Sequence, residues 1–169
     1  MHAHDGSSIK AAPLVAVFLH SSTAVISGGV ILDHSHLADM DGKAWCEYYG
    51  VKVSRGIATL YKAVNDHWTT SRGVDYSPGS KPRCDDFKPT NECGNGLHFG
   101  PTLLHAKAYF PEATKFVAVG VKLTELQPIY RDGSTAKCKA PRVVRACVAV
   151  DIDGKPVAPD PAGVTGTQV

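Results

Sequence analysis

Apolar residues in this chain come in short runs broken by Gly, Pro, Ser and Asp, which predicts several short strands and few helices. Residues 14–19 read as a buried strand. Residues 24–32 read as a second one, bent or bulged at Gly28-Gly29. The clearest strands cover 57–64 and 115–123, both rich in Val, Ala and Leu. A last strand over 142–150 places Val144, Ala146, Val148 and Val150 on one apolar face, with Arg142 at its entrance and Arg145 on the opposite face. Two short helices fit between these runs. One covers 41–50, with Asp41 as its cap and Gly50 at its end. The other covers 101–110, with Pro101 in its first turn and Pro111 as its stop. There Leu104 and Ala108 share a face, and Ala106 with Phe110 forms the neighbouring apolar row.

These elements predict an α+β fold: a compact domain with a mixed or antiparallel sheet and short helices. A length of 169 residues fits one domain. The expected divisions are an N-terminal extension over 1–56 packed on the core, a main domain over 57–155, and a tail over 156–169 with little capacity to form a core. The first ten residues read as mobile. Residues 73–95 form an unusually long polar connection, which marks either a functional loop or unrecognised short strands such as 74–76.

Composition narrows the setting. No apolar run approaches the roughly 20 residues of a membrane span, so membrane insertion is not expected. The patch over 11–19 lacks a following cleavage segment and reads as a core strand, not a secretory signal. Five cysteines, an odd number with no C-x-x-C pair, suit a reducing compartment. The small net charge hides a division. Residues 1–50 carry two basic and five acidic side chains, residues 51–150 fifteen and eight, and residues 151–169 one and three. The central excess culminates at Arg131, Lys137, Lys139, Arg142 and Arg145, the last four being the candidate anion-binding residues. Such a band is either an anion- or nucleic-acid-binding face or a solvated strand edge guarded by cations.

No Walker loop, dinucleotide fingerprint, H-E-x-x-H or nucleophile elbow occurs. The most distinctive segment is Cys93-Gly-Asn-Gly-Leu-His-Phe-Gly100, where three glycines surround a histidine and an aromatic residue. Its two readings are a ligand-holding turn and the closure of a small core. Cys84, Cys93 and His98 suggest a zinc cluster, but the spacing is unlike compact zinc motifs and no metal ligands are assigned.

Tyr61-Lys62, the segment Gly94 to Gly100, the helix with Ala106 and Tyr109, and the valine-rich run 116–126 together resemble the ordering of ADP-ribosyltransferase-like domains. That resemblance implies NAD as cofactor. Tyr61, Gly96, His98 and Phe99 would then lie against it, and His98 would take the place of the family's tyrosine. It also implies Lys62, His98 and Glu125 as catalytic candidates, with two departures. Lys62 stands where the family carries histidine or arginine, and no glutamate stands near the last strand, so Glu125 is a substitute from another position. The stretch 58–148 also resembles a poorly characterised domain of phage and bacterial proteins, through Leu60-Tyr61-Lys62, Cys93 to Phe99 and Lys137-Cys138-Lys139.

Two functional expectations follow. One is a small phage-type accessory protein, in the host cytoplasm or on the virion, whose basic face binds a phage or host protein assembly or nucleic acid. The other is an ADP-ribosyltransferase-like enzyme that processes NAD or a nucleotide phosphate.

Overall fold

The computed structural model describes residues 1–131 and 134–158, so 159–169 of the expected tail lie outside the described residues. Strand β7 (Ile57–Val64) pairs antiparallel with β9 (Lys115–Lys122) along its whole length. The short β6 (Val53–Ser54) and β12 (Arg145–Val150) complete a four-stranded sheet in the order β12-β9-β7-β6. A second antiparallel sheet has the order β10-β11-β8, from β8 (Leu97–Phe99), β10 (Gln127–Arg131) and β11 (Ser134–Ala140). The two meet where Tyr61 and Gly100 exchange backbone hydrogen bonds of 3.0 Å.

Alternation along β7 explains the layers. Ala58, Leu60 and Val64 point into the main core with Val117, Val119 and Val121 of β9, and this core also takes in Leu97, Phe99, Cys138 and Ala140 of the second sheet. Tyr61 and Ala63 point the other way, onto helix α2 (Leu103–Ala108), where Leu103, Ala106 and Phe116 form a smaller core. The result is an α+β architecture with sheet β7–β9 covered on both faces. Helix α1 (Gly42–Tyr48) belongs to the main core. Asp41 Oδ1 accepts from the Ala44 N–H at 2.8 Å, and the buried Trp45 donates its indole N–H to the Thr135 carbonyl at 2.6 Å.

Several expectations are corrected. The first ten residues, expected to be mobile, carry β1 (His2–Ala3) and β2 (Ser8–Lys10). These pair in parallel with β3 (Ala16–Leu19) and β4 (Val25–Ser27), and β5 (Val30–Asp33) adds to β3, giving a small roll of two parallel sheets. The run 14–19 is therefore not a core strand: Val17 is buried but Leu14 is 94% exposed. Helix α2 turns Leu103, Ala106 and Phe110 inward and leaves Leu104 exposed, so its buried row is not Leu104–Ala108. In β12 the register shifts between Arg145 and Val148, which buries Cys147 and Ala149 and exposes Ala146 and Val148. No described helix is long and apolar enough to cross a membrane.

Candidate functional site

A cavity of about 340 Å³ opens between β7, the segment 70–76, β8, the end of α2 and β11. Its floor follows from strand register. Lys62 falls on the same face of β7 as Leu60 and Val64, so a lysine occupies a position that otherwise takes core side chains. Its Nζ donates to the His98 carbonyl at 2.7 Å and lies 5.6 Å and 6.0 Å from the ring centroids of Tyr76 and Phe99. Both rings are buried. Burial pushes the Lys62 pKa down to about 8, and the positive charges of Lys137 and Arg72 act in the same direction. Among the described residues no carboxylate pairs with this amine.

The glycine-rich segment supplies one wall. Gly96 has φ 136°, open to glycine and hostile to other residues, and a Cβ there would come 3.0 Å from the Phe87 ring. Gly100 is demanded by contact: a Cβ would sit 2.7 Å from the Ala106 nitrogen and 3.0 Å from the Thr102 oxygen. These glycines let β8 run directly under the start of α2, with Leu97 and Phe99 turned into the core and His98 half-buried at the cavity. His98 Nε2 donates to the Gly94 carbonyl at 3.3 Å. Burial lowers its pKa to about 4, against the effect of that bond and with the help of Lys62, Lys137 and Arg72, so the ring is neutral at pH 7.

The mouth is cationic and aromatic. Lys137 Nζ stands 3.1 Å from Cys93 Sγ and 4.6 Å from the Tyr109 ring centroid. Burial works against the Cys93 thiolate, but Lys137 and the Gly94 backbone bring its pKa below the ordinary thiol value. Exposed Arg72 and the hydroxyl residues Thr70 and Ser71 also line the cavity. No Asp or Glu is among the described residues that line the cavity.

Of the residues singled out in the sequence, Tyr61, Lys62, Gly96, His98, Phe99 and Lys137 line this one cavity. Glu125 does not line it. Its carboxylate takes a two-pronged contact from Arg142, at 3.0 Å from Nε and 2.6 Å from Nη2, which holds its pKa below the usual value. Arg145 crosses Gly120 of the neighbouring strand and donates to the Ser54 carbonyl at 3.2 Å. Lys139 is 1% exposed, and its ammonium is held by the carbonyls of Glu92 and Gly94 at 2.9 and 3.2 Å and by Thr90 Oγ1 at 3.4 Å. Its part is to pin the 90–94 loop. Cys84 lies 3.4 Å from the Pro141 carbonyl, and no described group of three or more His, Cys, Asp or Glu is arranged to hold a metal.

Arg72, Thr70 and Tyr76 were not singled out as site residues. They sit in the 65–96 connection, whose course no periodicity reveals; a tyrosine in an otherwise polar stretch was the available signal.

No curated protein and no solved structure matches the chain. A match covers residues 58–151, from the second residue of β7 to the residue after β12, and by it the chain belongs to the family described as Domain of unknown function (DUF7666).

Proposed function

We propose that this domain binds a phosphate-bearing ligand of nucleotide type in the cavity over β7 and β8. The observation that carries the reading is the wall itself: Lys62, Arg72 and Lys137 supply positive charge, Tyr61, Tyr109 and Phe110 supply ring faces, and no described carboxylate balances them. Cations set in a partly apolar hollow without counter-ions favour an anion that brings its own charge. Arg72 presents a planar fork suited to phosphate oxygens, Lys137 adds a point charge, and rings at the mouth offer stacking to a base or pyridine ring. NAD is the member of this ligand class named by the resemblance to ADP-ribosyltransferase-like domains.

Binding, or chemistry directed at the phosphate, suits the wall better than transfer of a sugar. A developing oxocarbenium ion is stabilised by a nearby carboxylate and opposed by lysine and arginine, and Glu125 is engaged with Arg142 away from the cavity. The reading of a phage-type accessory protein docking through a basic face draws less from the geometry. Lys139 is buried, Arg142 carries Glu125, and Arg145 is turned onto Ser54.

Thermal melting with NAD, ADP-ribose, AMP, inorganic phosphate and adenosine tests the reading. A ligand at ~100 times its Kd stabilises by roughly 2.7 kcal/mol, a readily measured shift. The phosphorylated ligands are expected to raise the melting temperature and adenosine to leave it unchanged. Replacing Arg72 and Lys137 together by alanine should abolish the shift. No response to any phosphorylated ligand at ~1 mM, where even a ~10 µM Kd would be saturated, overturns the reading.

A further inference from the structure

We propose that Lys62 is a nucleophilic amine that condenses with the carbonyl carbon of a phosphorylated aldehyde held in this cavity. The inference rests on the reading of the cavity as a phosphate-ligand site and adds a covalent activity to it.

The geometry sets Lys62 apart from the other two lysines nearby. Lys137 at the mouth is engaged with the Cys93 thiol and the Tyr109 ring. Lys139 is held by three oxygens and does not line the cavity. Lys62 lines the cavity, has a single hydrogen-bond partner in the His98 carbonyl, and otherwise looks onto the faces of Tyr76 and Phe99. A neutral amine keeps that one bond with either of its two hydrogens and still offers a lone pair. No described carboxylate holds the proton on, and two further cations share the cavity. These surroundings lower the pKa to about 8, so roughly a tenth of the amine is unprotonated at pH 7, about two orders of magnitude more than for a free lysine. His98, neutral at that pH, adds no charge of its own.

The step balances without any oxidant or reductant. The Lys62 nitrogen attacks the carbonyl carbon and gives a carbinolamine. The carbon–oxygen bond then breaks, and the oxygen leaves as water with the two hydrogens the nitrogen gives up. A carbon–nitrogen double bond remains. Arg72 and Lys137 at the mouth are placed to receive the phosphate while the aldehyde reaches inward to the floor.

The probes are pyridoxal 5′-phosphate and ribose 5-phosphate, one aromatic and one a sugar, with pyridoxine 5′-phosphate as an alcohol that cannot form the imine. The full chain is incubated with each aldehyde, reduced with borohydride, digested and mapped by mass spectrometry. Lys62 is expected to be modified at least ~10-fold faster than the average of the other lysines, with yield rising between pH 7 and 9 as the amine deprotonates. Pyridoxine 5′-phosphate and inorganic phosphate should compete, and Lys62→Arg should lose the adduct. Modification spread evenly over the lysines overturns the proposal, as does an adduct on Lys62 that free phosphate fails to suppress. Binding of the alcohol without any adduct at Lys62 overturns the imine alone and leaves the ligand site standing. Absence of both binding and adduct overturns the two together. Should Lys62→Arg fail to fold, mapping and competition on the unmodified chain decide the matter.

Discussion

Lys139 on β11 is buried and Lys62 on β7 half-buried, and their surroundings show how differently burial can be accommodated. Lys139 exchanges water for two carbonyls and a hydroxyl, a near-complete set of acceptors for an ammonium. Lys62, half-buried at the cavity, has one carbonyl and two ring faces around its ammonium. Its charged form is therefore under-served, and the fold carries a cost that a purely structural residue would avoid. Replacing Lys62 by methionine, of similar length and without charge, should stabilise the protein by about 1–3 kcal/mol at pH 7, as seen when buried charges give way to apolar side chains. Since the folded pKa of about 8 lies below the unfolded value near 10.4, the penalty on the native lysine is absent above pH ~10.4. It grows as pH falls, and is complete below about 8. The advantage of Lys62→Met should thus be full at pH 7 and shrink towards pH 10. Urea denaturation at both values measures it, and a variant less stable than the parent at both would show that the bond to His98 outweighs the charge.

At the level of elements, the N-terminal roll and the antiparallel sheets behave as different materials. Parallel winding stacks the rings of His2, His4 and His20 within 4.7–6.4 Å of one another, with His34 edge-on to His20 at 5.8 Å. His2 Nδ1 and His20 Nε2 are 2.8 Å apart, a hydrogen bond that needs one of the two nitrogens unprotonated. Burial first, and then the neighbouring imidazoles, depress the pKa of His20. With the folded value below the unfolded one, stability is intact above pH ~6.5 and is lost as pH falls through the folded pKa. Hydrogen exchange at pH 7.5 and 5, corrected for intrinsic rates, should show protection in β1–β5 falling while that of β9 holds. Equal protection of the roll at both values would refute the role given to this histidine stack.

The same contrast decides what could be read from the chain. Residues 57–64 and 115–122 are legible because Ala, Leu and Val fill positions buried on both faces. Ser134–Ala140 is hidden because Lys137 and Lys139 point into the 90–94 loop, so a strand of the second sheet reads as a charged segment. The inverted face of β12 comes from a register shift that strict alternation cannot anticipate. At the site, the glycine-flanked Leu97-His98-Phe99 announces itself locally, whereas Arg72 and Tyr76 arrive through a connection folded by tertiary contacts.

The whole molecule is held by a core that reaches outside the family segment. The match begins at residue 58, yet Trp45 and Cys46 of α1 lie in the same buried cluster as Leu60, Val119 and Cys138. Trp45 is fully buried, and its indole N–H reaches Thr135 on β11, ninety residues along the chain. From residues 1–33, by contrast, the buried Ala3 and Val17 belong to neither core cluster. Stability should therefore divide between the roll and α1, within the N-terminal region, and not at the edge of the match. Removing residues 1–33 should leave the melting temperature of the remainder nearly unchanged and the response to phosphorylated ligands intact, since none of the deleted side chains lines the cavity. Trp45→Ala in the full chain should cost ~3–5 kcal/mol, from lost apolar contact and from a Thr135 carbonyl left without its donor. Calorimetry of the two variants separates the cases. A truncated chain that melts as low as Trp45→Ala would mean that the roll supports the core, and that the two parallel sheets are part of the machinery presenting Lys62 and His98.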